Sequence, residues 1–197
     1  MRIIITTIIA CLLLQQSTAQ NATLQSLNRQ RNQANATGMW VLGSWAVGNL
    51  LVGAVGRANT TGTTKYFHEM NMLWNTVNLS LAGFGLYSAL HADANLSLTA
   101  SLQAQHKMEK IFLLNGALDL AYMAGGLYLH ERGKTPGKNS LRWKGYGKSI
   151  LLQGAFLLLF DGTMYGILHH KGKGLYKVME KVQLTAGVQQ VGLVIRL

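Results

Sequence analysis

The sequence has almost no cysteine or proline, and it has little charge. Among its 197 residues, one is cysteine and one is proline. A single cysteine excludes a disulfide scaffold and a thiolate zinc site, because both need several thiols. Only 13% of the residues are Asp, Glu, Lys or Arg, whereas soluble domains average about 25%. The chain therefore lacks the charge that solvates a disordered protein or an ordinary water-soluble domain.

Hydrophobic residues make up 49% of the chain and occur in separate segments. The first segment has a positive start, an apolar run at residues 3–14 and a small residue at Ala19. This layout predicts a cleavable secretory signal peptide over residues 1–19, because the run is too short to span a bilayer. A lipoprotein signal ending at Cys11 is the alternative, although the apolar run continues past that cysteine.

Residues 20–37 are rich in Asn, Gln and Thr and are expected to form an exposed, exported leader or a short polar helix. Four segments of 19 to 25 residues follow, each long enough to cross a hydrocarbon core of ~30 Å at ~1.5 Å per residue. They are residues 38–56, 66–90, 107–130 and 149–170. The predicted fold is all-α, an integral-membrane antiparallel four-helix bundle with a basic tail at 171–197. A soluble helical bundle is the alternative, because the segments contain carboxyl groups.

The loop charges predict how the helices are oriented. The loop at 131–148 carries six Lys or Arg residues, and the loop at 91–106 carries none. By the positive-inside rule, 131–148 lies in the cytoplasm and the mature N-terminus outside, with a bacterial inner membrane as the expected location. The lysines of the tail at 171–197 fit this rule less well, since they would face outward.

The net charge of +11 bears on which partners the protein binds. We expect the lipid bilayer as the main partner, with anionic lipids bound through the basic loop at 131–148 at ~1 kcal/mol per residue. Nucleic acid is not expected, because no solvent-facing domain carries base-reading or stacking groups. The sequence does not identify a protein partner.

A short pattern repeats along the predicted spans. A polar residue stands twelfth or thirteenth in each span, and in the first three spans a glycine follows it seven residues later. The fourth span also has Leu-Gln153-Gly-Ala, which echoes Leu-Asn115-Gly-Ala in the third. Residues at the middle of antiparallel spans share one depth, so four side chains are predicted to converge as a mid-membrane polar cluster. They are Asn49, Asn78, Asp119 and Asp161.

Further polar residues recur at helical steps of three and four and form stripes that are expected to face each other. Besides the mid-membrane cluster, this secondary stripe contains His68, Glu69, Asn71, Asn75, Glu109 and His130. One interpretation is structural, because polar side chains hydrogen-bond across membrane helices. The other is functional, because two carboxyl groups at one depth indicate a shared proton or a bound cation.

No arrangement of residues indicates an enzyme or a cofactor. No nucleophile–base pair and no HExxH, GxSxG, Walker or CxxC motif occurs. As a less favoured alternative, histidines at the ends of the spans are candidate ligands of haem, or of a metal ion together with Glu69. Alternating apolar residues at 191–197 suggest a short strand within residues 184–197.

The run from Tyr66 to Asn71, with Trp74 and Asn78 after it, resembles an uncharacterised family of small bacterial four-helix membrane proteins with a signal peptide. The resemblance covers mainly residues 38–90. It implies a membrane architecture and supplies no catalytic residues. The expected function is a structural or accessory membrane protein with a polar core, and the alternative is a small transporter or an ion- or proton-coupled protein that uses the aspartates.

Overall fold

The computed structural model describes the backbone of residues 2–189 and the side chains of residues 21–180. Throughout this part the protein consists of four helices joined by short segments. They are α1 (Arg2–Asn59), α2 (Gly62–Leu90), α3 (Leu98–Arg132) and α4 (Ser140–Gln189). The single proline, Pro136, lies in the turn between α3 and α4, where it breaks no helix. The prediction of an all-α fold with four helices is confirmed.

The helices extend beyond the predicted spans, so the joints are shorter than expected. Only Thr60 and Thr61 separate α1 from α2, and Gly62 begins α2 with a φ of +60° that favours glycine. The other two joints are residues 91–97 and 133–139. The predicted spans end where polar or charged residues interrupt an apolar segment. Lys, Arg and Glu are nevertheless good helix formers, so the helices continue past them. Most of the basic stretch at 131–148 therefore lies on helices and not in a loop.

The packing order of the helices differs from their order in the chain. α1 packs on α2 and α4, and α4 packs on both α2 and α3. In the described residues no Cα atom of α2 lies within 8 Å of α3. Helices that follow each other in the chain are antiparallel, as predicted, but α2 and α4 are parallel neighbours. Asn71 contacts Gln153, and Glu69 contacts Tyr146, so both helices advance in the same direction.

The repeated glycines lie at close helix–helix contacts. Gly56 on α1 faces the His68 ring, and Gly85 on α2 faces the Met39 side chain. At Gly126 a Cβ atom would lie 3.0 Å from the backbone oxygen of Gly147. Small residues let membrane-type helices approach closely. The repeat found in the sequence therefore marks where neighbouring helices touch.

The distribution of polar and apolar residues is inverted relative to a water-soluble protein. Among the described side chains, 14 polar or charged residues are buried, against 12 hydrophobic ones. In contrast, 25 large hydrophobic side chains are exposed. An apolar core is present around Met39, Phe112 and Phe160, but it adjoins buried amides and carboxyl groups. The molecule is polar inside and apolar outside.

The two ends of the chain are both helical in the described residues. Residues 21–37 are a continuation of α1, and one face of them is buried, since Asn28 and Asn32 donate hydrogen bonds to the 91–97 segment. Of the two alternatives expected for this stretch, the polar helix agrees with the structure, with one face buried and the other exposed. The predicted strand is wrong over residues 184–189, which are helical; a helix satisfies its backbone internally, whereas a lone strand does not. Residues 190–197 lie outside the described residues, and cleavage after Ala19 stays a prediction.

Candidate functional site

A chain of amide hydrogen bonds joins α1, α2 and α4. Its members, here called the amide ladder, are Asn49, Asn71, Asn75, Asn78 and Gln153. Gln153 Nε2 donates to Asn71 Oδ1 at 2.5 Å, and Asn71 Nδ2 donates to the backbone oxygen of Asn49 at 3.1 Å. Asn75 Nδ2 donates to the backbone oxygen of Asn71 at 2.8 Å. Asn78 Nδ2 extends the ladder by donating to Asn75 Oδ1 at 3.4 Å.

The amide ladder is mostly buried, and its buried polar atoms have hydrogen-bond partners. Asn75 and Gln153 are 0% exposed, and no ladder amide is among the buried polar atoms without a partner. Trp45 Nε1 donates to Gln153 Oε1 at 2.9 Å, while its ring stacks on Phe156 with centroids 3.8 Å apart. These contacts set the register of α1, α2 and α4 relative to each other.

Two aspartates meet where α3 packs on α4. Asp119 and Asp161, here called the carboxyl pair, are 3% and 4% exposed. The two carboxyl groups are close enough to interact with each other, and Asn115 adjoins Asp161. Asp119 Oδ2 is buried without a partner among the described residues. Two carboxylates that interact in apolar surroundings repel each other when both are charged, so the arrangement favours protonation or a nearby cation.

The carboxyl pair borders a cavity of about 680 Å³. This α2–α3 cavity is lined by both aspartates, Asn115 and Asn78, and otherwise mostly by apolar side chains from α1, α2 and α3. Ligand pockets have volumes of about 300–1,000 Å³. The carboxyl pair thus faces a space large enough for a ligand, whereas the amide ladder reaches this space only through Asn78.

The wall of the cavity between α2 and α3 is formed by side chains alone, because the two backbones stay apart. Trp74 of α2 and Tyr122 of α3 bridge the gap with an edge-to-face ring contact of 5.0 Å between centroids. The exposed side chains of Leu81, Phe84 and Ile111 also line it. The cavity therefore lies directly behind the apolar outer surface, with an aromatic pair across its side.

The structure brings together three of the four residues that were predicted to converge. Asn78, Asp119 and Asp161 line the same cavity. Asn49 belongs to the amide ladder, where its Nδ2 donates to the backbone oxygen of Trp45 at 2.9 Å. Asn49 contacts Asn71, which precedes Asn78 by seven residues on α2, a helical rise of about 10 Å. Equal counts along the apolar segments therefore do not give equal depth, because the segments start at different levels of the bundle.

Glu69, a member of the secondary stripe, is held in an ion-pair cluster where the α1–α2 and α3–α4 turns lie. Its Oε2 accepts from Arg57 Nε at 3.2 Å, and its Oε1 accepts from the Tyr146 hydroxyl at 2.6 Å. Arg142 Nη2 donates to the same hydroxyl at 3.0 Å. Donors contact both oxygens of Glu69, so this carboxylate joins α1, α2 and α4.

Glu109 lies at the opposite end of the bundle, here called the crossover end because the 91–97 segment joins α2 to α3 there. Its oxygens are 3.9 Å from His106 Nδ1 and 3.7 Å from His169 Nδ1, and Gln105 Nε2 donates to it at 2.9 Å. In the part of the chain whose side chains are described, no group of three or more His, Cys, Asp or Glu is arranged to hold a metal ion, this cluster included.

The remaining histidines of the stripe lie in different helix contacts. His68 packs on Gly56 of α1, and the backbone of His130 packs on Gly147 of α4. The Nδ1 atoms of both are buried without a partner among the described residues.

Three residues of this region were not predicted as site residues. Gln153 is the central member of the amide ladder, and Asn115 contacts the carboxyl pair. The available signal was the Leu-amide-Gly-Ala sequence that both share. The third, Arg31, lines the cavity at the crossover end. No pattern in the sequence indicated its burial, because it lies in a stretch of polar residues.

Comparison with known proteins gives a family without an assigned activity. The model of a family of unknown function, DUF6992, matches residues 41–162. Since the match covers more than half of the chain, the protein belongs to this family. The resemblance to an uncharacterised family is thereby confirmed, and the match extends into α4 and includes the amide ladder and the carboxyl pair. No curated protein and no solved structure matches the chain.

Proposed function

We propose that the protein is a multi-pass membrane protein whose four helices cross the bilayer. The supporting observation is its apolar outer surface, which exceeds what water-soluble monomers expose. Three stretches, in α1, α3 and α4, are long and apolar enough to span by length and composition: Asn21–Asn59, Leu98–Arg132 and Ser140–Glu180. α2 is not among them because its asparagines lower its mean hydropathy. Those asparagines face inward, while Leu73, Val77 and Phe84 face outward.

Extraction of membranes with alkaline carbonate tests the insertion. The protein should stay in the membrane pellet, and its release into the soluble fraction would overturn the proposal. The proposed setting is a bacterial inner membrane with the mature N-terminus outside. The basic residues of 131–148 would then lie at the cytoplasmic face, near anionic headgroups.

Within this membrane protein, the carboxyl pair serves as the site of a small ion- or proton-coupled transporter. The observation that carries this proposal is Asp119 Oδ2, a buried oxygen without a partner beside a cavity of about 680 Å³. An ionisable group at the centre of a membrane protein is costly, and a neutral amide would join helices at less cost. A carboxyl pair beside open space suits a group that takes up and releases a proton or a cation.

A structural or accessory role is the second candidate, and the amide ladder favours it. The ladder joins three helices through neutral, hydrogen-bonded groups, most of which do not border the cavity. A protein that only needed a stable polar core would be complete with this network. Under that hypothesis the carboxyl pair would be sealed from the bilayer.

A hydrophobic carbodiimide distinguishes the two candidates, because it enters from the apolar phase and reacts with protonated carboxyl groups. In the reconstituted protein at neutral pH, peptide mass spectrometry should find the adduct on Asp119 or Asp161. Labelling should fall as the pH rises, since the shared proton is then lost. Asp93, which is exposed and lies in the 91–97 segment, is the control that should stay unlabelled.

Absence of an adduct on both aspartates in the folded protein would mean that the pair is sealed. The structural role would then be the better explanation of the carboxyl pair. The proposed membrane insertion would not be affected, because the carbonate extraction tests it separately.

A further inference from the structure

A buried arginine lies at the crossover end without an acidic partner. Arg31 is 3% exposed, and all of its hydrogen-bond acceptors are neutral. Its Nη1 donates to Asn28 Oδ1 at 2.8 Å and to the backbone oxygen of Ser101 at 3.3 Å. Its Nε and Nη2 donate to Asn32 Oδ1 at 3.3 and 3.1 Å. No carboxylate forms an ion pair with it among residues 21–180.

This charge is uncompensated. Arginine keeps its proton in proteins, and a buried charge needs a partner of opposite sign to offset its desolvation. The hydrogen bonds use the Nε hydrogen, both Nη1 hydrogens and one Nη2 hydrogen. One N–H group on Nη2 is therefore left for an additional acceptor.

Arg31 lines the crossover end of the α2–α3 cavity, together with Lys107, Asn32 and Asn35. One acid, Asp93, lines the same end, and its Oδ1 accepts from the backbone N–H of Asn95 at 2.7 Å. Two cations and one engaged carboxylate leave this end of the cavity positive. Away from it, the lining becomes apolar until the carboxyl pair is reached.

The shape of the cavity matches an elongated molecule. Its lining residues on α3 extend from Ala104 to Tyr122, a helical rise of about 27 Å. A single lipid spans one leaflet, about half of the ~30 Å hydrocarbon core, so the cavity is long enough to hold an acyl chain. The long side between α2 and α3 lies behind exposed apolar side chains such as Leu81 and Phe84. A molecule in the bilayer would have to pass only side chains to enter.

We propose that the α2–α3 cavity binds an anionic membrane lipid. The headgroup phosphate pairs with Arg31 and Lys107 at the crossover end, and an acyl chain occupies the apolar part of the cavity. This inference rests on the proposed membrane insertion and names the ligand class of the same cavity. Its site is separate from the basic stretch at 131–148, which lies at the other end of the bundle.

The test uses the full-length protein purified in a neutral detergent and native mass spectrometry with two added lipids. Phosphatidylglycerol and phosphatidylcholine with identical acyl chains differ in net charge. Both lipids carry a phosphate, but the choline cation of phosphatidylcholine cancels its charge and is repelled by Arg31 and Lys107. Phosphatidylglycerol should therefore bind about tenfold more tightly. The variant Arg31→Gln should lose this preference. Arg29→Gln is the matched control, since Arg29 is an exposed residue of the same helix, and it should keep the preference.

Arg31→Gln also changes contacts to Asn28 and Ser101, so its fold must be checked by circular dichroism. If it does not fold, Lys107→Gln decides, because Lys107 is exposed and lines the cavity. Its preference should fall about threefold, as expected for a partly exposed charge pair. An unchanged preference would overturn the proposal.

Two further outcomes contradict the inference. Equal binding of both lipids by the wild type would overturn it, as would displacement of phosphatidylglycerol by inorganic phosphate, which would indicate a site for soluble anions. Either result leaves the carbonate and carbodiimide results standing. Release of the protein from membranes by carbonate would instead overturn both the inference and the proposed function.

Discussion

The amide ladder and the carboxyl pair are both buried polar groups in one bundle, but they differ in three properties. The ladder is neutral, its hydrogen bonds are satisfied, and among its members only Asn78 borders the cavity. The carboxyl pair is ionisable, has an unpartnered oxygen at Asp119, and borders a cavity of about 680 Å³. Burial of a polar residue therefore does not by itself indicate function. Neutral groups whose hydrogen bonds are all made hold helices together. An ionisable group that borders a cavity and lacks a hydrogen-bond partner indicates a role in binding or transport.

The largest effect on stability is expected at the centre of the amide ladder. Gln153→Leu removes the acceptor of Trp45 Nε1 and the donor that joins α4 to Asn71, so the half-buried indole loses its hydrogen bond and Asn71 keeps only the contact from Asn75 on its own helix. The free energy of unfolding should fall by about 3 kcal/mol, measured by denaturant titration in detergent micelles. Gln103→Leu is the control, because Gln103 is exposed, and it should change stability by less than about 0.5 kcal/mol. Equal stability of both variants would show that the ladder does not hold the helices.

A smaller effect is expected where α3 and α4 hold the carboxyl pair between them. Gly126→Ala places a Cβ atom 3.0 Å from the backbone oxygen of Gly147 and 3.1 Å from the backbone nitrogen of Leu151. Unfolding free energy should fall by about 2 kcal/mol through overpacking. At Gly125 a Cβ atom meets nothing within 4 Å, so Gly125→Ala should stabilise slightly through helix propensity. If the two variants shift stability in the same direction, close backbone contact is not what joins α3 to α4.

The ring contact between Trp74 and Tyr122 should contribute little to stability, but it should restrict the entry of carbodiimide into the cavity. Trp74→Ala removes the edge-to-face contact with Tyr122 and should cost about 1 kcal/mol of unfolding free energy. It should also accelerate carbodiimide labelling of the carboxyl pair. Trp40→Ala is the control, because Trp40 is 64% exposed and does not line the cavity. Equal labelling rates in the two variants would mean that the reagent enters by another route.

The smallest change in stability is expected at the carboxyl pair itself. Asp161→Asn keeps the shape of the side chain and supplies an amide donor to Asp119, so unfolding free energy should change by less than about 0.5 kcal/mol. Labelling of position 161 is lost by design, and labelling of Asp119 should fall because an amide donor favours its ionised form. A loss of stability as large as that of Gln153→Leu would instead assign the pair a structural role.

The predictions made from single helices succeeded better than those made between helices. The stripe through Asn71, Asn75 and Asn78 is buried along one face of α2, because steps of three and four residues place side chains on one side of a helix. The spacing on α3 likewise places Glu109, Asp119 and Gly126 on one buried face. Asn49 was assigned to the carboxyl cluster by depth alone, and the structure places it in the amide ladder.

Local patterns of residues were sufficient to predict four helices, their polar faces and the glycines at their contacts, because all three depend on side chains a few residues apart. Tertiary structure alone decided that α2 packs on α4 and stays apart from α3, which creates the cavity. It also decided that Arg31 is buried against Asn28 and Ser101. Which helices become neighbours depends on backbone approach and hydrogen bonds between residues far apart in the chain. A local pattern shows which face of a helix is buried, but not which helix covers it.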